Sequence, residues 1–209
     1  MTHFYLGGIC FITGIHPSLG MREQAEAVLD AGIRCIQLRQ KDASRKEIYE
    51  TAVVLRSLTS RYDASLIVND HADIALACDA DGVHLGQEDL PLQFARKIMS
   101  NKIVGISTHS IDEALAAQQG GADYIGFGPI FPTRTKDAGG PRGLEELSHI
   151  REKIKVPVMA IGGITADSVK GVMEAGADAA AVSGAVLEGG VFENARRFAE
   201  FLKNCSRRL

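Results

Sequence analysis

"AGADAAAV" (175–182) is the stretch whose reading decides the fold. A turn of small residues leads straight into a near-continuous apolar run, the pattern of a strand buried on both faces. Three earlier stretches follow the same plan: "AGIRCIQL" from position 31, "CDADGVHL" from 78 and "GGADYIGF" from 120. Each is a helix end, a turn and a strand, and each marks every second strand. The repeating unit is therefore a pair of βα modules used four times.

Working outward, eight short apolar runs punctuate the chain: "CFIT" (10–13), "CIQLR" (35–39), "SLIVN" (65–69), "GVHLG" (82–86), "KIVGIS" (102–107), "DYIGFG" (123–128), "VPVMAIGG" (156–163) and "AAAVSG" (179–184). Segments of helical spacing lie between them. Residues 21–32 put Ala25, Val28 and Leu29 on one face, and residues 44–62 do the same with Ile48, Ala52, Leu55 and Leu58. Residues 166–176 open on Asp167 as a candidate cap and close on a glycine. Strands alternating with helices imply a parallel sheet, and eight of them imply an α/β fold of the (β/α)8 TIM-barrel type, with a doubly wound open sheet as the alternative. No linker or charge block divides the chain, so residues 1–209 are expected to form one barrel domain.

A net charge of −3 creates no global field for nucleic acid or an anionic membrane, so any anion site must be local. No apolar run approaches a membrane span, and no leader pattern is evident. Cys10, Cys35, Cys78 and Cys205 show neither metal-ligand nor disulfide spacing, and a reducing cytoplasm is the expected setting.

The loops after the strands form the active face of such a barrel. The second strand ends "QLRQK", and alternation sends Gln37, Arg39 and Lys41 to one side, where Arg and Lys suit phosphate oxygens. The third ends in Asn69 and Asp70, the fourth in "GQED" with Glu88 and Asp89. Asp70 and Asp89 suit Mg2+ shared with a substrate phosphate; equally, each suits a helix cap. His84 lies inside the fourth strand and reads as a supporting residue. Ser107 suits a ligand or a cap, and His109 suits proton chemistry. Gly162, Gly163 and Ser183, after the last two strands, suit a phosphate at a helix N-terminus. "PTRTK" (132–136) brings Thr133, Thr135 and Lys136 between the two anion regions, and "DAGGPRG" beyond it reads as a lid.

Taken in order, "QLRQK", "VND", "DGVHLGQED", "GISTH", "GADYIGFGPIFPTRTK", "AIGGIT" and "AVSG" resemble the motifs of the thiamin phosphate synthase family from residue 37 to residue 184. That family joins a hydroxymethylpyrimidine diphosphate to a thiazole phosphate with Mg2+, making thiamin phosphate and releasing pyrophosphate. The resemblance implies that Gln37 contacts the pyrimidine region and that Arg39, Lys41, Asn69 and Lys136 hold the diphosphate. It implies Asp70 and Asp89 as Mg2+ ligands and Ser107 near the pyrophosphate or the pyrimidine. Thr133, Thr135, Gly163, Val182 and Ser183 match positions for the thiazole phosphate. Small molecules are the implied partners, with a homodimer as the expected assembly.

Two stretches depart from the family's pattern. The first strand ends "FITG", where the family often has an Asp, and the eighth-strand loop reads "SGAV" rather than "SAI". The second departure resembles the related thiazole tautomerases, so an isomerase using His109 is the competing reading. A binding protein without chemistry is the third.

Overall fold

A computed structural model describes residues 8–133 and 140–206, with side chains to residue 203. Eight parallel strands close a barrel in chain order. They are β1 (Ile9–Ile12), β2 (Cys35–Leu38), β3 (Ser65–Asn69), β4 (Gly82–Leu85), β5 (Ile103–Thr108), β6 (Tyr124–Phe127), β7 (Val158–Ile161) and β8 (Ala179–Val182). The intervening helices are α1 (Met21–Ala31), α2 (Arg45–Arg61), α3 (Ala72–Ala77), α4 (Leu92–Met99), α5 (Ile111–Gln119), α6 (Gly143–Lys153) and α7 (Val169–Glu174). A single-turn α8 (Gly184–Leu187) and the long α9 (Val191–Ser206) follow β8. The open-sheet alternative is thereby excluded.

Strand alternation splits the core in two. Inward residues, among them Cys10, Ile12, Cys35, Ile67, Tyr124, Met159, Ala179 and Ala181, fill the barrel. Outward residues such as Phe11, Ile36, Leu66, Val83 and Phe127 join the apolar faces of the helices in a larger layer. The four-copy repeat now has a physical content. Its second residue always has positive φ: Gly32 at 109°, Asp79 at 56°, Gly121 at 86° and Gly176 at 102°. That left-handed residue turns the chain from helix into strand.

In three copies the fourth residue is an Asp that braces the strand before it. The Asp81 N–H donates to Leu66 O at 2.9 Å, and its carboxylate accepts from Leu66 N–H at 2.7 Å. Asp123 makes the same reciprocal pair with Val104, and Asp178 with Val158. An arginine from the helix before the braced strand completes each brace: Arg56 of α2 on Asp81, Arg96 of α4 on Asp123 and Arg151 of α6 on Asp178. The first copy carries Arg34 there instead, and its guanidinium donates to Leu29 O at 2.7 Å. These braces line the N-terminal face of the barrel.

Helix ends follow local chemistry with one correction. Ser44 and Glu47 form a capping box that starts α2. Asp167 does not cap α7; Ser168 holds the N-cap position and Asp167 pairs with Arg197 at 2.9 Å. Cys10, Cys35 and Cys78 are buried free thiols; the Cys205 side chain lies outside the described residues. Among the described residues, no helix is long and apolar enough to cross a membrane.

Candidate active site

At the C-terminal end of the barrel, Gln37, Arg39, Asn69, His84 and Ser107 line a cavity floored by Ile12, Met159 and Ala181. Gln37, Asn69, His84 and Ser107 reach it as inward positions of β2 to β5. Arg39 lines it too, from just past the end of β2 at Leu38, where strand pairing no longer fixes the side chain. Arg39 is held by Thr13, a fully buried residue just past β1. The Arg39 N–H donates to Thr13 Oγ1 at 2.9 Å, and the Thr13 hydroxyl donates to Arg39 O at 3.2 Å. The Thr13 N–H also donates to Gln37 O at 3.0 Å. The "FITG" departure thus puts a short hydroxyl where it clamps the β2 exit. Lys41 lies exposed in the turn beyond and does not line the cavity.

Neither candidate metal ligand caps a helix. His71 stands at the N-cap of α3 and Pro91 at that of α4. Asp70 has φ 67°, left-handed backbone that Asp tolerates better than most residues. Its N–H donates to His84 O at 2.8 Å, which ties it to the β4 exit. Asp89 folds back on the same exit, where Oδ2 accepts from the Gly86 N–H at 2.6 Å. Both residues are thus tied to the β4 exit, Asp70 through its main-chain N–H and Asp89 through its carboxylate, outside the cavity lining. By donor chemistry two carboxylates suit Mg2+, which takes one or two of them and completes its shell with phosphate oxygens and water. A cluster of three ligating side chains is absent among the described residues, and a cation shared with a diphosphate does not need one.

At the cavity wall, His84 connects two hydroxyls. Nδ1 lies 2.9 Å from Tyr124 Oη, and Nε2 lies 2.9 Å from Ser107 Oγ. Ser107 is therefore a cavity residue and not a cap; Ser110 caps α5 by accepting from Glu113 N–H. Burial pushes the Tyr124 phenol well above its ordinary pKa. His109 points elsewhere. Its Nδ1 lies 3.1 Å from the Glu113 carboxylate, which also accepts its N–H at 2.7 Å. It does not line the cavity, and this weighs against the isomerase reading.

On the opposite side the β6 and β7 exits are zipped together. Ile130 N–H donates to Ile161 O at 2.9 Å and Phe131 N–H to Gly162 O at 3.0 Å. A Cβ at Gly163 would sit 2.5 Å from Pro132 O, and φ there is 64°, so only glycine fits. The "AIGG" glycines thus hold "GPIFP" in place as well as opening the loop. Ser183 follows β8 at the start of α8. Val182 turns its side chain into the layer between barrel and helices, so only its main chain faces the mouth. Thr133 is half-buried at the edge of the described segment; Thr135 and Lys136 lie outside the described residues.

Sequence reasoning missed three residues that build the site: Thr13, Tyr124 and Gln24. Gln24 is buried, and its amide donates to Gly14 O at 2.9 Å and Leu19 O at 3.0 Å, pinning the β1 loop. A polar residue interrupting the apolar face of α1 was the available signal.

A family model described as thiamine monophosphate synthase matches residues 9–186. A thiamine-phosphate synthase of Chloroflexus aurantiacus is 47% identical over 175 residues, which are 83% of this chain and 81% of that protein. One from Halalkalibacterium halodurans is 49% identical over 170 residues, 79% of this chain and 81% of that protein. Among solved structures, a thiamine phosphate pyrophosphorylase from Pyrococcus furiosus superposes with a TM-score of 0.89 at 39% identity, covering 96% of this chain and 97% of that one.

Proposed function

The chain belongs to the thiamine monophosphate synthase family, whose members are transferases, and from that premise we propose how its own residues perform the synthesis of thiamin phosphate. The substrates are the hydroxymethylpyrimidine diphosphate and the thiazole phosphate. The observation that carries the reading is the convergence of Arg39, Asn69 and Ser107 on one cavity, with Asp70 and Asp89 tied to the β4 exit.

Gln37 meets the pyrimidine from the barrel interior. Arg39 and Asn69 hold the diphosphate, and the resemblance assigns Lys41 and Lys136 to the same group. Departure of the diphosphate builds charge on the leaving oxygens, and fixed cations and donors aimed there lower the barrier. Mg2+, held by Asp70 and Asp89, supplies Lewis-acid neutralisation of the same oxygens when bound. The pyrimidine leaves as a stabilised cation, and the thiazole nitrogen then attacks it. No protein nucleophile is required, and the chain's remaining task is to align two substrates and exclude water. The resemblance assigns Thr133, Thr135, Gly163, Val182 and Ser183 to the thiazole phosphate, with Val182 able to offer only its main chain.

The reading includes one catalytic domain over residues 1–209, a cytoplasmic setting supported by three buried free thiols, and a homodimer, to be checked by solution mass. Its test is a product assay with both substrates, with and without Mg2+, following thiamin phosphate by its fluorescent oxidation product. Mg2+-dependent product is expected. Product formed equally after chelation would remove Asp70 and Asp89 from their assigned role.

A further inference from the structure

Among the inward side chains of the barrel, Tyr124, His84 and Ser107 form one hydrogen-bonded chain. Tyr124 is fully buried and His84 nearly so. Their rings stack with centroids 5.5 Å apart. The space for them is made by glycine. A Cβ at Gly105 would overlap the Tyr124 ring, and one at Gly126 would sit 3.0 Å from His84 Cε1. Only Ser107 and His84 border the cavity; Tyr124 lies below. Three strands thus cooperate to carry a phenol to the underside of a histidine whose far edge touches a residue of the site.

A neutral imidazole has one N–H and one lone pair, so the two ends of this chain are not independent. If Nδ1 carries the proton, Nε2 accepts from Ser107 and the serine can only accept from a ligand. If Nε2 carries it, Ser107 receives that N–H and its own hydrogen is released toward the cavity. We infer that Tyr124 donates to Nδ1 and so holds His84 as the Nε2–H tautomer, which makes Ser107 a hydrogen-bond donor to an acceptor atom of the bound substrate. A buried phenol requires an acceptor, and Nδ1 lies 2.9 Å from its oxygen. Burial keeps the phenol protonated, in line with that direction. His84 and Tyr124 are positioning residues, acting through Ser107. The diphosphate supplies acceptors only, so it is the substrate portion that a donor serine suits. This step rests on the reading that Ser107 faces substrate.

The test is a long-range 1H–15N correlation on the full chain labelled at histidine, without substrate, with the His84 signals assigned by their loss in His84→Gln. Nδ1 bearing a lone pair and Nε2 bearing the proton is the expected result. Nδ1 bearing a proton, in a neutral or a doubly protonated ring, overturns the proposal whatever the kinetics. Tyr124→Phe keeps the ring and its packing, and is expected to move His84 toward a mixture of tautomers. It should also lower kcat by about tenfold, the worth of one misdirected hydrogen bond, with KM for the thiazole phosphate unchanged. An unshifted tautomer in Tyr124→Phe overturns the role of Tyr124. Ser107→Ala separates this from the reading beneath it: wild-type turnover there would remove Ser107 from the substrate and with it the donor role, while the tautomer result stood.

Discussion

At the N-terminal face, Asp81, Asp123 and Asp178 repeat one brace three times, each with its own arginine. At the C-terminal face, the strand exits carry Thr13, Arg39, Asn69, Gly86, Ser107, Gly128, Gly162 and Ser183, and no bracing pattern recurs. The same eight strands connect the two. The brace solves one problem, which is to satisfy a backbone N–H in the first two residues of a strand, on Leu66, Val104 and Val158. The exits solve different problems, because the chemically different parts of the two proposed substrates need different partners. Stability is concentrated where the molecule repeats itself, and chemistry where it does not.

Breaking the C-terminal side should have the largest effect. Arg39→Ala removes a cavity cation, and kcat/KM should fall by about 10²–10³, the range for deleting a donor aimed at developing charge. Its thermal midpoint should stay near that of the unaltered chain. A comparable loss of stability would mean that Arg39 belongs to the scaffold. The reverse test is Asp123→Ala, which strands the Val104 N–H and removes the carboxylate partner of Arg96, whose guanidinium keeps its bonds to Lys102 O and Gly121 O. A stability loss of about 2–3 kcal/mol is expected by denaturant titration, with kcat unchanged. A fall in kcat there would show that the two faces are coupled.

Thr13→Val sharpens the comparison, because Thr13 is buried like a scaffold residue yet clamps a residue of the site. It should cost about 1 kcal/mol of stability, the net worth of a lost hydrogen bond. It should also raise KM for the pyrimidine diphosphate several-fold while the thiazole KM holds. Equal changes in both would mean that the clamp serves the barrel in general and not Arg39.

The fold was legible because its signal is periodic. Four helix-to-strand turns at positions 31, 78, 120 and 175, each entering an apolar run, leave little besides a closed parallel barrel. The candidate residues Gln37, Asn69, Asp70, Asp89, Ser107 and Gly163 were legible for a related reason: each stands at the end of a strand, and strand ends of such a barrel converge. What one dimension could not supply was the direction of each side chain. Arg39 lines the cavity as expected, but Lys41, beyond the end of β2, lies exposed, and Val182 fell on the outward side of β8. His109 had the chemistry for proton transfer, yet a carboxylate one helical turn onward turns it away. Tyr124 read as a core aromatic, which it is. That its hydroxyl meets His84, forty residues back, depends on β4, β5 and β6 lying side by side with glycine between them. The sequence alone determined which residue types stand at the mouth of the barrel. Which of them face the substrate, and which hydrogen each presents, was decided by tertiary packing, because hydrogen-bond direction is set by the neighbour on the next strand and not by the neighbour along the chain.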